Sequence, residues 1–128
     1  MSALSRQAAD STMTGADLRR LALGLAGTTE AAHFDRSAFK VARIYATLAA
    51  DGLTANLKLT PDEQTFKSLL APEAFQAVPN AWGAQGWTTI RLDRLTEAEL
   101  ADALAMAWRH AATKTTRASH RRFTGRSW

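Results

Sequence analysis

The chain has 128 residues, a formal net charge of +4 and no cysteine, which points to one domain and excludes disulfides, thiolate metal sites and thiol catalysis. Of its 59 apolar residues 27 are alanine, and 27 of the 32 larger ones lie between Thr14 and Ala112, enough for one modest core and not two. No run approaches the ~18 apolar residues of a membrane span, and the start lacks the apolar stretch of a signal peptide, so a cytoplasmic domain with no membrane partner is expected.

The charge is unevenly placed. Residues 113–128 carry Lys114, Arg117, Arg121, Arg122 and Arg126 and no acid, whereas 14–112 holds ten basic and eleven acidic residues. The basic excess therefore belongs to the end of the chain, which is polar and reads as an unstructured tail. Such a tail binds nucleic acid or anionic surfaces by releasing counterions, or is an extension without function. Residues 1–13 are small and polar and read as a disordered N-terminal extension, leaving 14–112 as the folded domain.

Thr14 is an N-cap with Asp17 at the third helical position, and Leu18, Leu21, Ala22 and Leu25 make one apolar stripe that ends near Gly27. From Phe39 to Leu59 the period changes to two. Phe39 and Val41 alternate with polar or small residues, as do Ile44, Ala46 and Leu48, then Ala55, Leu57 and Leu59. Arg43 falls in a tight turn before Ile44, and Asp51-Gly52 suggests a type I′ hairpin turn. Thr60 caps a second helix with Pro61 at its first position and Glu63 closing a capping box. Its stripe is Phe66, Leu69 and Leu70, and Pro72 stops it. A short strand is expected at 73–79, then a loop, then a strand from Trp87 to Leu92. Thr96 and Glu99 open a final helix with Leu100, Ala103, Leu104, Ala107, Trp108 and Ala111 inward.

The order is helix, three strands, helix, two strands, helix. That predicts an α+β fold in two layers, with a five-stranded, largely antiparallel sheet and all three helices on one face. The other face then carries Lys40, Tyr45, Thr47, Asn56, Lys58, Trp87, Thr89 and Arg91. Polar residues there need no function, whereas Tyr45 and Trp87 among cations can stack bases and track phosphates, centre a protein interface, or simply stabilise neighbouring strands.

Across residues 18 to 112 the sequence resembles the MmcQ/YjbR family of small bacterial proteins, usually labelled DNA-binding. The resemblance is carried by His33-Phe34, Ser37-Ala38-Phe39-Lys40-Val41, Ile44-Tyr45-Ala46-Thr47-Leu48, Asn56-Leu57-Lys58-Leu59, Glu63-Gln64, the run from Val78 to Thr88 and Ala107-Trp108, in that order and spacing. Ala42-Arg43 stands where family members often have Gly-Lys, which keeps a cation at Arg43. The resemblance implies a two-layer fold with an antiparallel sheet and DNA as a partner, and it brings no catalytic residues.

The candidate binding residues are His33, Arg36, Lys40, Arg43, Tyr45, Lys58, Trp82, Gln85, Trp87 and Arg91. In the loop Trp82-Gly83-Ala84-Gln85-Gly86-Trp87, glycines let backbone approach a ligand while Trp82 and Gln85 touch it, or the loop merely seals the sheet end. Three His without Cys make a metal site unexpected, because His33 and Asp35 are the only close ligand-type pair and a metal needs three or four. No nucleophile elbow or phosphate loop is present. A non-enzymatic binding module with no cofactor is expected, its partner DNA or, alternatively, another protein using the same face.

Overall fold

The computed structural model describes residues 12–125, with side chains as far as Ala112. Helix α1 (Gly15–Leu23) is followed by strands β1 (Thr29–His33), β2 (Arg36–Lys40), β3 (Ile44–Leu48) and β4 (Thr54–Lys58). Then come α2 (Pro61–Leu70), β5 (Phe75–Ala77), the single turn α3 (Ala81–Ala84), β6 (Trp87–Arg91), a 3₁₀ turn (Leu92–Arg94) and α4 (Glu97–Gly125). All strand pairs are antiparallel, in the order β1-β2-β3-β4-β6-β5. The α+β, two-layer expectation holds, with six strands in place of five.

The additional strand is β1. It sits at the sheet edge, pairs only with β2 and is almost wholly exposed, so Ala31-Ala32 gives no alternation of large apolar residues for a periodicity argument to find. Arg19 of α1 ties it down, its Nε donating to both Glu30 carboxylate oxygens at 2.9 and 3.0 Å. The β1–β2 turn places Phe34 at φ 62.

The capping boxes form where the sequence puts them. Thr14 N donates to Asp17 at 2.9 Å, Thr60 N to Glu63 at 3.0 Å and Thr96 N to Glu99 at 2.8 Å, each satisfying a donor that a helix start leaves open. The core lies between the sheet and the pair α1 and α4. Phe39, Ala46, Leu48, Ala55, Leu57 and Ile90 meet Leu18 and Ala22 from α1 and Leu100, Ala103, Leu104, Ala107 and Ala111 from α4. Met13, expected in the frayed end, is buried in this core; residues 1–11 lie outside the described part. Where the sequence ends the last helix near Ala112, the backbone of α4 continues to Gly125, since adding residues to an existing helix is far easier than starting one. Among the described residues no helix is long and apolar enough to cross a membrane.

Three other expectations are corrected. The β3–β4 connection is five residues long, with Gly52 at φ 73 as its only positive-φ residue and Asp51 accepting from Leu53 N at 2.9 Å, so it is not a two-residue type I′ turn. Tyr45, expected on the open face, is fully buried on the helical side. Phe39 pairs with Ala46 and Lys40 with Ile44, so Tyr45 is the extra residue of a β-bulge, and a bulge re-aims the side chain it inserts. Its hydroxyl lies 2.8 Å from Thr28 Oγ1 and 3.4 Å from the Ala22 carbonyl oxygen, and burial pushes the phenol above its ordinary range. The apolar stripe of α2 is the third correction. Phe66, Leu69 and Leu70 are exposed, because α2 packs on the domain through Glu63, Gln64 and Lys67 instead.

Candidate functional site

Trp87 opens β6 directly opposite Lys58 of β4, so both project from the open face at the same end of the sheet. The loop before it is held from several sides. Asn80 Oδ1 accepts from Trp82 N at 2.8 Å and caps α3. A Cβ on Gly83 would overlap the Val78 carbonyl, and one on Gly86, at φ 107, would overlap the Leu59 carbonyl; only glycine allows these approaches. Gln64 reaches across from α2, its Nε2 lying 3.0 Å from the Gly83 oxygen, 3.0 Å from the Trp87 oxygen and 3.1 Å from Thr88 Oγ1. Trp82 is thereby held 59% exposed beside Trp87.

The two tryptophans line two adjoining clefts. One, of about 250 Å³, lies on the open face with His33, Arg36, Thr47, Asn56 and Val78. The other, of about 340 Å³, turns round the end of the sheet towards α4 and is lined by Arg43, Lys58, Thr60, Gln85 and His110 among others. Arg36 is steadied within the first by Nε donating to Thr47 Oγ1 at 2.9 Å and Nη2 to the Thr47 carbonyl at 3.4 Å. Among the described residues no carboxylate lines either cleft, so this end of a nearly neutral domain is locally basic.

At the back of the second cleft His110 Nε2 lies 2.9 Å from each Glu63 oxygen. Burial pushes the Glu63 carboxyl upwards, but the Thr60 N–H and His110 outweigh it and hold the group below its usual range. Glu63 thus stays ionised as a fixed anchor, joining the helix start at Thr60 to α4.

Most of the sequence-chosen residues come together here: Arg43, Lys58, Trp82, Gln85 and Trp87 in the larger cleft, His33 and Arg36 with both tryptophans in the smaller. Tyr45 borders the larger cleft from the core side. Lys40 and Arg91 do not join them. Lys40 sits where β2 ends, paired with Thr29 and Ile44. Arg91 is opposite Thr54, four residues along β6 from Trp87 and so about 13 Å away, and its Nε is 3.8 Å from Asp93. Sequence reasoning missed Gln64 and His110, whose roles depend on contacts across 19 to 47 residues; in the Glu63-Gln64 dipeptide only Glu63 has a local reading, as a helix cap.

A larger hollow of about 720 Å³ lies beside the β1–β2 and β3–β4 turns and shares Arg36 with the smaller cleft. Its walls mix Arg19 and Arg36 with Asp35, Asp51 and Asp93, so neither charge sign dominates. Among the described residues no group of three or more His, Asp or Glu could hold a metal ion.

A family profile described as YjbR matches residues 23–110 of the chain. Among solved structures, a Deinococcus radiodurans protein with a DUF419 domain is similar with a TM-score of 0.64 at 23% identity, over 75% of this chain and 76% of that one, a likeness of fold. No curated protein matches the chain.

Proposed function

The chain belongs to the YjbR family, and on that premise we propose that it is a non-catalytic binding module whose open sheet face takes up single-stranded nucleic acid, DNA in the first instance. The observation that carries this reading is the pair Trp82 and Trp87 at the junction of two clefts walled by Arg36, Arg43 and Lys58 and by no carboxylate among the described residues. Unpaired bases stack on aromatic faces while cations position the phosphates on either side. Duplex binding fits less well, because the balance of ten basic and eleven acidic residues in 14–112 offers no broad basic footprint. The cations of residues 113–128 add attraction that is indifferent to base identity.

The test is binding of the full chain to a fluorescent thymidine oligonucleotide across a salt series. Trp87→Ala is expected to weaken binding by roughly tenfold, as loss of one base–aromatic stack costs about 1–3 kcal/mol. Replacing Arg121 and Arg122 by Gln should instead flatten the salt dependence while leaving a Trp87 contribution. Equal affinity of Trp87→Ala and wild type rejects the open-face site. Should neither bind the oligonucleotide while Trp87→Ala loses a protein partner, exposed Trp82 and half-buried Trp87 serve as a protein anchor instead.

A further inference from the structure

Helix α2 is amphipathic in the inverse sense. Its inward face is polar: Glu63 meets His110, Gln64 meets the loop carbonyls, and Lys67 lies 2.8 Å from Asp102 and 5.7 Å from the Phe75 ring centroid. Its outward face is apolar, with Phe66 58% exposed, Leu69 77% and Leu70 66%. Residues three and four apart share a helix face, so Asp62, Phe66, Leu69 and Leu70 form one stripe, and exposed Glu73 follows just beyond its end. An apolar strip with a carboxylate at each end is a surface for a segment that is apolar and basic.

The end of this chain is a polar, basic segment that carries two large aromatic residues. Residues 113–128 combine Lys114, Arg117, Arg121, Arg122 and Arg126 with Phe123 and Trp128 and hold no acid. The segment cannot serve the α2 of its own copy. Glu63 faces His110 and Lys67 faces Asp102, so α4 runs antiparallel to α2, and after His110 it leads past the start of α2 and away from Leu70. The backbone stays helical to Gly125, about 22 Å beyond His110 at 1.5 Å per residue. A second copy related by a two-fold axis has no such restriction, and the two-fold closes the exchange at two copies, each giving and receiving one segment.

We propose that the outward face of α2, Phe66, Leu69 and Leu70 between Asp62 and Glu73, docks the basic C-terminal segment of a second copy of this chain. The contact is independent of the open-face clefts and needs no nucleic acid.

Sedimentation velocity of the nucleic-acid-free full chain tests it. Wild type is expected to dimerise, more weakly as ionic strength rises. Leu69→Lys and the double variant Arg121→Glu/Arg122→Glu are each expected to weaken dimerisation by more than about tenfold, with the circular dichroism spectrum of the folded protein kept, Leu69 being 77% exposed. Adding Asp62→Lys and Glu73→Lys to the arginine variant should restore the dimer. A wild type that stays monomeric overturns the proposal. So does a dimer indifferent to the arginine variant, which would mean that α2 pairs with α2, or a fourfold variant that does not recover.

Discussion

The Gln64 side-chain nitrogen lies 3.0 Å from the main-chain oxygen of Trp87, and the same nitrogen is within 3.1 Å of Gly83 and Thr88 acceptors. Two hydrogens on one amide therefore serve three acceptors, and helix α2 is joined through them to the loop and strand that present both tryptophans. Gln64→Ala is expected to cost about 1–3 kcal/mol, the range for leaving such groups without a partner. It should also weaken oligonucleotide binding although Gln64 lines neither cleft. Urea denaturation followed by tryptophan fluorescence measures the first effect and the oligonucleotide titration the second.

Tyr45→Phe removes a hydroxyl bonded to Thr28 and is expected to cost about 1 kcal/mol, while Tyr45→Ala empties a fully buried site and should cost about 3–5 kcal/mol. Tyr45→Phe should leave binding unchanged, because it keeps the ring that borders the larger cleft. An alanine variant as stable as wild type would put Tyr45 back on the surface.

Ile90→Ala and Arg91→Ala separate the two faces of β6. Ile90 is fully buried and Arg91 exposed, so the first is expected to cost about 2–5 kcal/mol and the second less than about 0.5 kcal/mol. Because Arg91 lies far from Trp87, Arg91→Ala should leave oligonucleotide affinity unchanged. Comparable destabilisation by both variants in denaturant would contradict the register.

Glu63 makes stability pH-dependent. Its carboxyl is held below the unfolded value of 4.5, so the folded state binds fewer protons than the unfolded chain near that pH. The contribution is fully present above 4.5 and is lost as pH falls through the lower folded value. Denaturation midpoints measured down an acid series should therefore decline, and Glu63→Gln should start lower and decline less steeply. Parallel curves for the two proteins would show that Glu63 is not responsible.

Phe34 is 94% exposed at φ 62, a conformation that a bulky residue adopts only at a cost of about 1–3 kcal/mol. Phe34→Gly is expected to raise the melting temperature. A fall would mean that the edge-on contact with His33, 5.0 Å between ring centroids, outweighs the backbone strain.

What the sequence makes legible here is local. Thr14 with Asp17 and Thr60 with Glu63 announce helix starts because a cap needs only residues three apart, and Ala55, Leu57 and Leu59 show their buried face by alternation within one strand. The bulge at Tyr45 depends on how β3 meets β2, which no single-strand pattern contains. α2 misleads for another reason. Periodicity finds its apolar stripe correctly, but whether a stripe faces inward is decided by Glu63, Gln64 and Lys67 finding partners on α4 and the loop. The candidate site divides in the same way: Lys58 and Trp87 fall on one face by alternation, whereas the approach of Trp82 depends on backbone contacts at Val78 and Leu59.

Strand order bears on how the chain is made. Strands β2 to β4 each pair with the strand just completed, but β6 must enter between β4 and β5. Until Arg91 has emerged from the ribosome, β4 presents a row of unpaired main-chain donors and acceptors, the kind of edge on which chains adhere to one another. Translation pauses or truncations between residues 59 and 91 should thus produce aggregates, and synthesis past that point should bury the hazard as β6 slides into place.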